Sequence, residues 1–395
     1  MAALPEGDPA PIDGELPNKS DLKSKPFSLY VHVPYCAKRC GYCDFNTYVP
    51  SELDKDDQIQ SWLTSAIKEL DLIKKVTNQD LVIDTIFFGG GTPSLLEPEV
   101  INEFLENVSR RYSLKPKIEI TLEANPDTIT QEKSDYWLAS GINRISIGMQ
   151  SSTKNVLQTL DRTHNPENVL NSVKILRDAG FINYSLDLIY GTPGESLEDW
   201  DKTLNDALAL EPPHISAYSL VIEPGTKMGA QLNRDEISNV SDDDAADKYS
   251  LAEQIFSSRK YEWYEISNWS RSEMQCQHNL NYWRGNNWWG IGPGAHSHIN
   301  GVRWWNEKLP KNWREKLTRN QSPALAREVL SERQIKDEKL MLLSRLRTGI
   351  KSKEVKSSAR NSLIEQGLIY EESENIVLTL KGRLLADVVF RHLSE

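Results

Sequence analysis

Phe27-Ser-Leu-Tyr30-Val-His32-Val-Pro34-Tyr35-Cys36-Ala-Lys-Arg-Cys40-Gly-Tyr42-Cys43 is the stretch from which the rest of the chain can be read. Its first seven residues are apolar and partly β-branched, which predicts a buried strand. The strand runs straight into a loop holding three of the chain's four cysteines, the other being Cys276. A secreted disulfide scaffold would use more cysteines, spread more evenly. Three thiols within eight residues instead predict metal ligation in a reducing compartment, and so a cytoplasmic protein.

Working outward, strand-like and helix-like segments alternate. Apolar residues at helical spacing over 59–76 place Leu63, Ile67, Leu70 and Ile73 on one side. Strands are predicted at 82–88, 117–122, 144–148, 184–189 and 214–220, with helices at 98–112, 131–140, 166–179 and 197–208 between them. Such alternation implies a parallel sheet with crossover helices. Each strand end carries an unusual cluster: the cysteines, Gly89-Gly90-Gly91, Glu123-Ala-Asn-Pro126, Gln150 and Asp187. In parallel α/β folds the carboxyl ends of the strands form the active face.

The pattern changes at residue 238. Asp242, Asp243 and Asp244 suit a loop or a helix start, and eight of eleven tryptophans fall between Trp263 and Trp313. Beyond about residue 324 the sequence reads as helices around a small hairpin, a winged-helix-like appendage. That gives a disordered lead-in over 1–26, a barrel over 27–237, a Trp-rich extension over 238–323 and the appendage over 324–395. Residues 325–395 carry 13 basic and 11 acidic groups, a balance that argues against DNA binding there. The whole chain, with 46 basic and 57 acidic groups and net charge −11, is likewise unsuited to non-specific nucleic-acid binding. No run approaches the ~20 apolar residues that span a bilayer.

The cysteine loop has C-x3-C-x2-C spacing. Thiolates bind soft metals and iron–sulfur clusters, and a 4Fe–4S cubane usually takes four. Three would leave one iron open to an exchangeable ligand. Zinc is the alternative, with His32 or Cys276 as fourth ligand. Downstream, glycines at the second strand end allow close backbone approach to a ligand. Glu123 could accept from an ammonium or a hydroxyl.

The cysteine spacing, with Tyr42 before the last cysteine, resembles the radical S-adenosylmethionine (SAM) superfamily. That resemblance implies a 4Fe–4S cluster on Cys36, Cys40 and Cys43, SAM at its open iron, and a partial parallel (β/α)6 barrel. Tyr30-Val-His32-Val-Pro34-Tyr-Cys36, Gly89-Gly-Gly-Thr92-Pro93, Glu123-Ala-Asn-Pro126, Ser146-Ile-Gly-Met-Gln150 and Asp187-Leu-Ile-Tyr-Gly191 look like the oxygen-independent coproporphyrinogen III oxidase family over residues 27–395. By that resemblance Tyr30, Tyr42, Gly90, Gly91, Thr92, Glu123, Gln150, Arg162 and Asp187 contact SAM.

The oxidases carry a further cysteine two residues after the third, where this chain has Phe45. That departure resembles the HemW-like branch, whose members are haem chaperones. Gln277-His278-Asn-Leu-Asn-Tyr282-Trp also looks like that branch's haem-binding motif. Imidazole and phenolate both ligate haem iron, and residues four apart share a helix face. The resemblance implies haem held by His278 or Tyr282 and passed to an acceptor apoprotein. It leaves room for peripheral membrane contact through that acceptor and for a homodimer. The alternative is oxidative decarboxylation of coproporphyrinogen III.

Overall fold

The computed structural model describes residues 7–17, 22–53 and 59–394. After a two-residue strand, β1 (Asp8–Pro9), the six expected strands form: β2 (Phe27–Val33), β3 (Val82–Gly90), β4 (Ser113–Ala124), β5 (Arg144–Gln150), β6 (Tyr184–Tyr190) and β7 (His214–Ser219). They pair in chain order and in parallel. Helices Ile59–Thr77, Pro98–Arg111, Gln131–Ala139, Pro166–Ala179 and Leu197–Ala209 supply the crossovers. Their ends follow local chemistry. Asn165 forms a capping box ahead of Pro166, and Gly180, at φ 99°, closes the same helix in the left-handed conformation.

Successive strand residues point to opposite faces. Tyr30, Phe87, Glu123, Ser146, Asp187 and Ser216, one from each strand, nevertheless border a single cavity. Six neighbouring strands can do this only in a curled sheet, so the α/β fold is a partial parallel barrel. Its outer face packs on the helices through residues such as Leu63, Leu70 and Ile73, all fully buried.

The sheet continues past the sixth barrel strand. β8 (Glu262–Glu265) and β9 (Asn268–Ser270) extend it beyond β7, with β9 antiparallel to β7. β10 (Asn287–Ile291) returns to the opposite edge and pairs in parallel with β2. β11 (His296–Ile299), β12 (Val302–Asn306) and β13 (Ala324–Val329) follow it, so this sheet has thirteen strands among the described residues. Three expectations change. The parallel run has seven strands because β10 has β2 as its partner. Residues 324–329 are a strand, with the helix Glu332–Ser344 starting after them. And the described part of the lead-in is not free: β1 pairs with β13, while Leu16 and Leu22 are buried.

Glu69, on the first helix, fastens this extension. Its buried carboxyl accepts from Gly292 N (3.0 Å), Asn306 Nδ2 (2.8 Å) and Trp313 Nε1 (2.8 Å). Burial pushes that carboxyl up to about 7, against the pull of these donors. The appendage holds β14 (Ile350–Lys351), β15 (Ile369–Glu372) and β16 (Asn375–Leu378), with β16 central, among helices. Arg383 pins it to the Trp-rich extension, 4.4 Å over the Trp263 ring and 2.8 Å from Glu253. No helix among the described residues is long and apolar enough to cross a membrane.

Candidate functional site

The cysteine loop leaves the carboxyl end of β2 and is held by backbone bonds from Cys36 N to Tyr48 O (3.0 Å) and from Met228 N to Gly41 O (2.9 Å). Cys36, Cys40 and Cys43 are free thiols bordering a cavity of about 700 Å³, a volume suited to a small molecule. Thr92 Oγ1 lies 3.8 Å from Cys36 Sγ, and Arg162 Nη1 lies 3.4 Å from Cys40 Sγ. Burial raises the Cys36 thiol and pushes Cys43 up to about 11, so ligation has to displace their protons. Among the described residues no three His, Cys, Asp or Glu side chains converge as ligands of one ion do. Three thiols of one loop, facing a cavity beside a guanidinium, fit a cubane, which takes one cysteine per iron.

The neighbouring strand ends complete this mouth. A Cβ on Gly90 would lie 2.4 Å from the His32 ring, and one on Gly91 2.5 Å from Tyr35 O, so only glycine fits here. Glu123 Oε2 accepts from Gly90 N at 3.1 Å. Burial, with Asp187's charge second, pushes the Glu123 carboxyl up to about 8. Asp187 is raised by burial too, though hydroxyls of Ser146 (2.7 Å) and Ser216 (2.8 Å) pull it back. Gln150 takes the left-handed conformation (φ 62°), a strained position for a non-glycine residue. Arg162 Nη2 donates to Gly148 O (3.1 Å), and Tyr42 packs on the cluster of Val156, Leu160 and Met228. All nine residues assigned to SAM by resemblance border the one cavity.

Two histidines position this mouth: His32, expected only as a possible zinc ligand, and His164, which the sequence did not single out. His32 Nε2–H donates to Asn46 O (2.9 Å), so its Nδ1 accepts from Tyr30 OH (3.0 Å) and ties the cysteine loop to Tyr30. His164 donates to Met149 O (2.9 Å) and presents Nδ1 to Arg162 Nε at 3.4 Å. Neither ring nitrogen of His32 is free, and Cys276 is bound to Glu119 at the opposite end of the barrel (3.6 Å). Both fourth ligands named for zinc are therefore engaged elsewhere.

The helix Gln277–Trp283 closes that opposite end, the floor. Glu119 accepts from the backbone N–H groups of Gln277 (3.1 Å) and His278 (2.9 Å). His278 and Tyr282 share a face as expected, with Nε2 2.8 Å from the phenol oxygen. Thr85 Oγ1 donates to Ser28 (2.8 Å) and so accepts from His278 Nδ1–H (2.7 Å). That assigns the tautomer: Nε2 carries the lone pair and accepts from Tyr282. Burial lowers His278 to about 3, so its imidazole is neutral. Both residues border the same cavity as the cysteines. The pair is also satisfied, with His278 buried and Tyr282 partly buried, so it caps the barrel in this state.

Residues 30–207 match the radical SAM superfamily. The heme chaperone HemW of Mycobacterium tuberculosis (strain ATCC 25618 / H37Rv) is 40% identical over 387 residues, 97% of this chain and 98% of that protein. Heme chaperone HemW of Escherichia coli (strain K12) is 39% identical over 70% of this chain and 71% of its own length, and that of Bacillus subtilis (strain 168) 32% over 92% and 98%. Among solved structures, coproporphyrinogen III oxidase (HemN) of Escherichia coli, a radical SAM enzyme, superposes with TM-score 0.79. It covers 94% of this chain and 90% of that one, and at 19% identity it speaks for the fold. Likeness to HemW proteins, along nearly the whole chain for those of Mycobacterium tuberculosis and Bacillus subtilis, on this barrel and around this cysteine loop, means that the chain belongs to the HemW haem chaperone family of the radical SAM superfamily.

Proposed function

We propose that this chain binds haem in the barrel cavity and hands it to an acceptor apoprotein, with a SAM-coordinated 4Fe–4S cluster at the mouth. The observation that carries this reading is the His278–Tyr282 pair on the wall of the cavity that the three cysteines border, in a chain 40% identical along 97% of its length to a protein named heme chaperone HemW. Cys36, Cys40 and Cys43 would hold the cluster. Bound there, it supplies an iron open to the amino and carboxylate groups of SAM.

The chain's own residues divide the remaining work. Glu123 and Asp187 offer acceptors to ammonium or ribose hydroxyls, and Arg162 offers a cation to the carboxylate. The glycine backbone at 90–91 lets the ligand approach. Tyr30, Tyr42, Thr92 and Gln150 line the same wall. At the floor, neutral His278 already points a lone pair at the Tyr282 hydroxyl, and turning Tyr282 aside exposes it to iron. The thiols call for a reducing compartment, in keeping with the cytoplasm.

Against the oxidase alternative stands Phe45, 57% exposed at the mouth where the oxidases carry a cysteine. The test is a spectral titration of the anaerobically reconstituted protein with haem, then mixing with a haem-free apoprotein. Saturation near one haem per chain, lost in His278→Ala, followed by transfer, is the expected result. Unsaturable binding, or SAM-dependent formation of protoporphyrinogen IX, would overturn it.

A further inference from the structure

Arg144 opens β5 and His214 opens β7, so both sit at the amino ends of their strands, on the floor. Strands of six or seven residues, at about 3.3 Å per residue, put them roughly 20 Å from the far strand ends, where the cysteine loop lies, with Asp187 in between. Each is about 1% exposed, and each borders the cavity.

Arg144 is a buried cation with no directly bonded carboxylate, although the charges of Glu119 and Asp187 reach it. Its hydrogen bonds leave through Nη1, to Asn183 Oδ1 (2.6 Å) and Met274 O (3.3 Å). Among the described residues it forms no ion pair. Neither Glu119, which accepts from the floor helix, nor Asp187, which accepts from two serine hydroxyls, forms an ion pair with it. Buried charges in proteins are ordinarily paired.

His214 is a buried donor without an acceptor. Its Nε2 lies 2.8 Å from Tyr264 OH, which itself receives Asn279 Nδ2 at 3.3 Å. Among the described residues that phenol has no other acceptor for its proton, so it donates to Nε2, and the proton of the imidazole is on Nδ1. That atom is buried and has no hydrogen-bond partner. Burial first, then the charge of Arg144, holds His214 well below its ordinary value, so it stays a neutral N–H donor.

We infer that Arg144 and His214 form a carboxylate site on the barrel floor that receives a propionate of the tetrapyrrole. A guanidinium beside a neutral N–H donor is matched by one carboxylate, which guanidinium binds through paired hydrogen bonds. The site borders the same chamber as His278, so iron and propionate are held by different walls of one floor. The assignment to a tetrapyrrole rests on the haem-binding reading; the carboxylate chemistry does not.

The test compares iron protoporphyrin IX with its dimethyl ester, whose propionates are masked, in titrations of the full chain. Esterification is expected to weaken wild-type binding at least about tenfold, the loss of one charge-assisted hydrogen-bonded pair. Arg144→Gln should bind both porphyrins alike. Equal binding of the two by wild type, or discrimination that persists in Arg144→Gln, overturns the site and leaves haem binding standing. Because losing a buried arginine also weakens the fold, the esterified ligand tests the site with no substitution at all. If wild type binds neither porphyrin, the haem reading falls, and carboxyl-13C propionate decides the rest. A saturable shift in wild type that is absent in Arg144→Gln upholds the carboxylate site, and no shift ends it.

Discussion

Tyr282→Phe separates the two ligands that the helix Gln277–Trp283 offers to iron. The phenol donates to His278 Nε2 at 2.8 Å, on the lone pair that iron would need. If His278 is the ligand, binding first has to break that hydrogen bond, whose net worth is about 0.5–1.5 kcal/mol. Removing it in advance should tighten haem binding, by up to about tenfold at 1.4 kcal/mol per decade. The apoprotein should suffer, because Nε2 becomes a buried acceptor without a donor, at a cost of about 1–3 kcal/mol. The ring itself remains, so no cavity adds to the loss. An anaerobic Soret titration and a urea midpoint on the same preparation read the two effects. Affinity falling tenfold or more, with a displaced Soret band, would make the Tyr282 oxygen the ligand and refute the argument. An unchanged urea midpoint would mean that the hydrogen bond contributes nothing.

Three further outcomes follow from the same geometry. Glu69→Ala leaves three close buried donors without their acceptor. It should lower stability by about 3 kcal/mol or more, and a loss under 1 kcal/mol by urea denaturation would contradict the clasp. Glu123 holds its proton up to about 8 when folded and loses it near 4.5 when unfolded. The folded apoprotein therefore binds more protons between those values, and its stability relative to Glu123→Gln should fall as pH rises through that window. Parallel pH profiles of the two proteins' urea midpoints would refute this. Arg162→Met removes the cation 3.4 Å from Cys40 Sγ. It should lower iron and sulfide content after anaerobic reconstitution, and content equal to wild type would exclude that role.

The barrel was legible because its strands are short apolar runs bounded by strong punctuation. Phe27–Val33 ends at Pro34, and Pro166–Ala179 lies between an Asn-Pro start and a glycine stop. The mouth was legible because cysteines and glycines have few uses in such turns. β10 was not, since Asn287–Ile291 is too short and too rich in tryptophan to declare a partner. Only pairing with β2, far away in sequence, makes it a strand. The floor was missed for another reason. Arg144, Ser146 and Gly148, like His214, Ser216 and Tyr218, alternate inward at period two, but a polar period-two pattern usually marks a solvated face. Here the wet-looking face is the inside of a barrel. His278 was found through its motif, but its three-way engagement with Thr85, Tyr282 and Glu119 is a tertiary fact.

The pairing of β10 with β2 also sets an order of events in time. Asn287 lies beside Phe27, so the outer edge of β2 stays bare until β10, in the middle of the Trp-rich stretch, has been made. A bare parallel edge is a template for wrong partners, and closing it over so long a loop slows folding. The helix that floors the barrel arrives just before β10. A nascent chain halted ahead of it therefore has its cysteine loop already made and a barrel still open at the bottom.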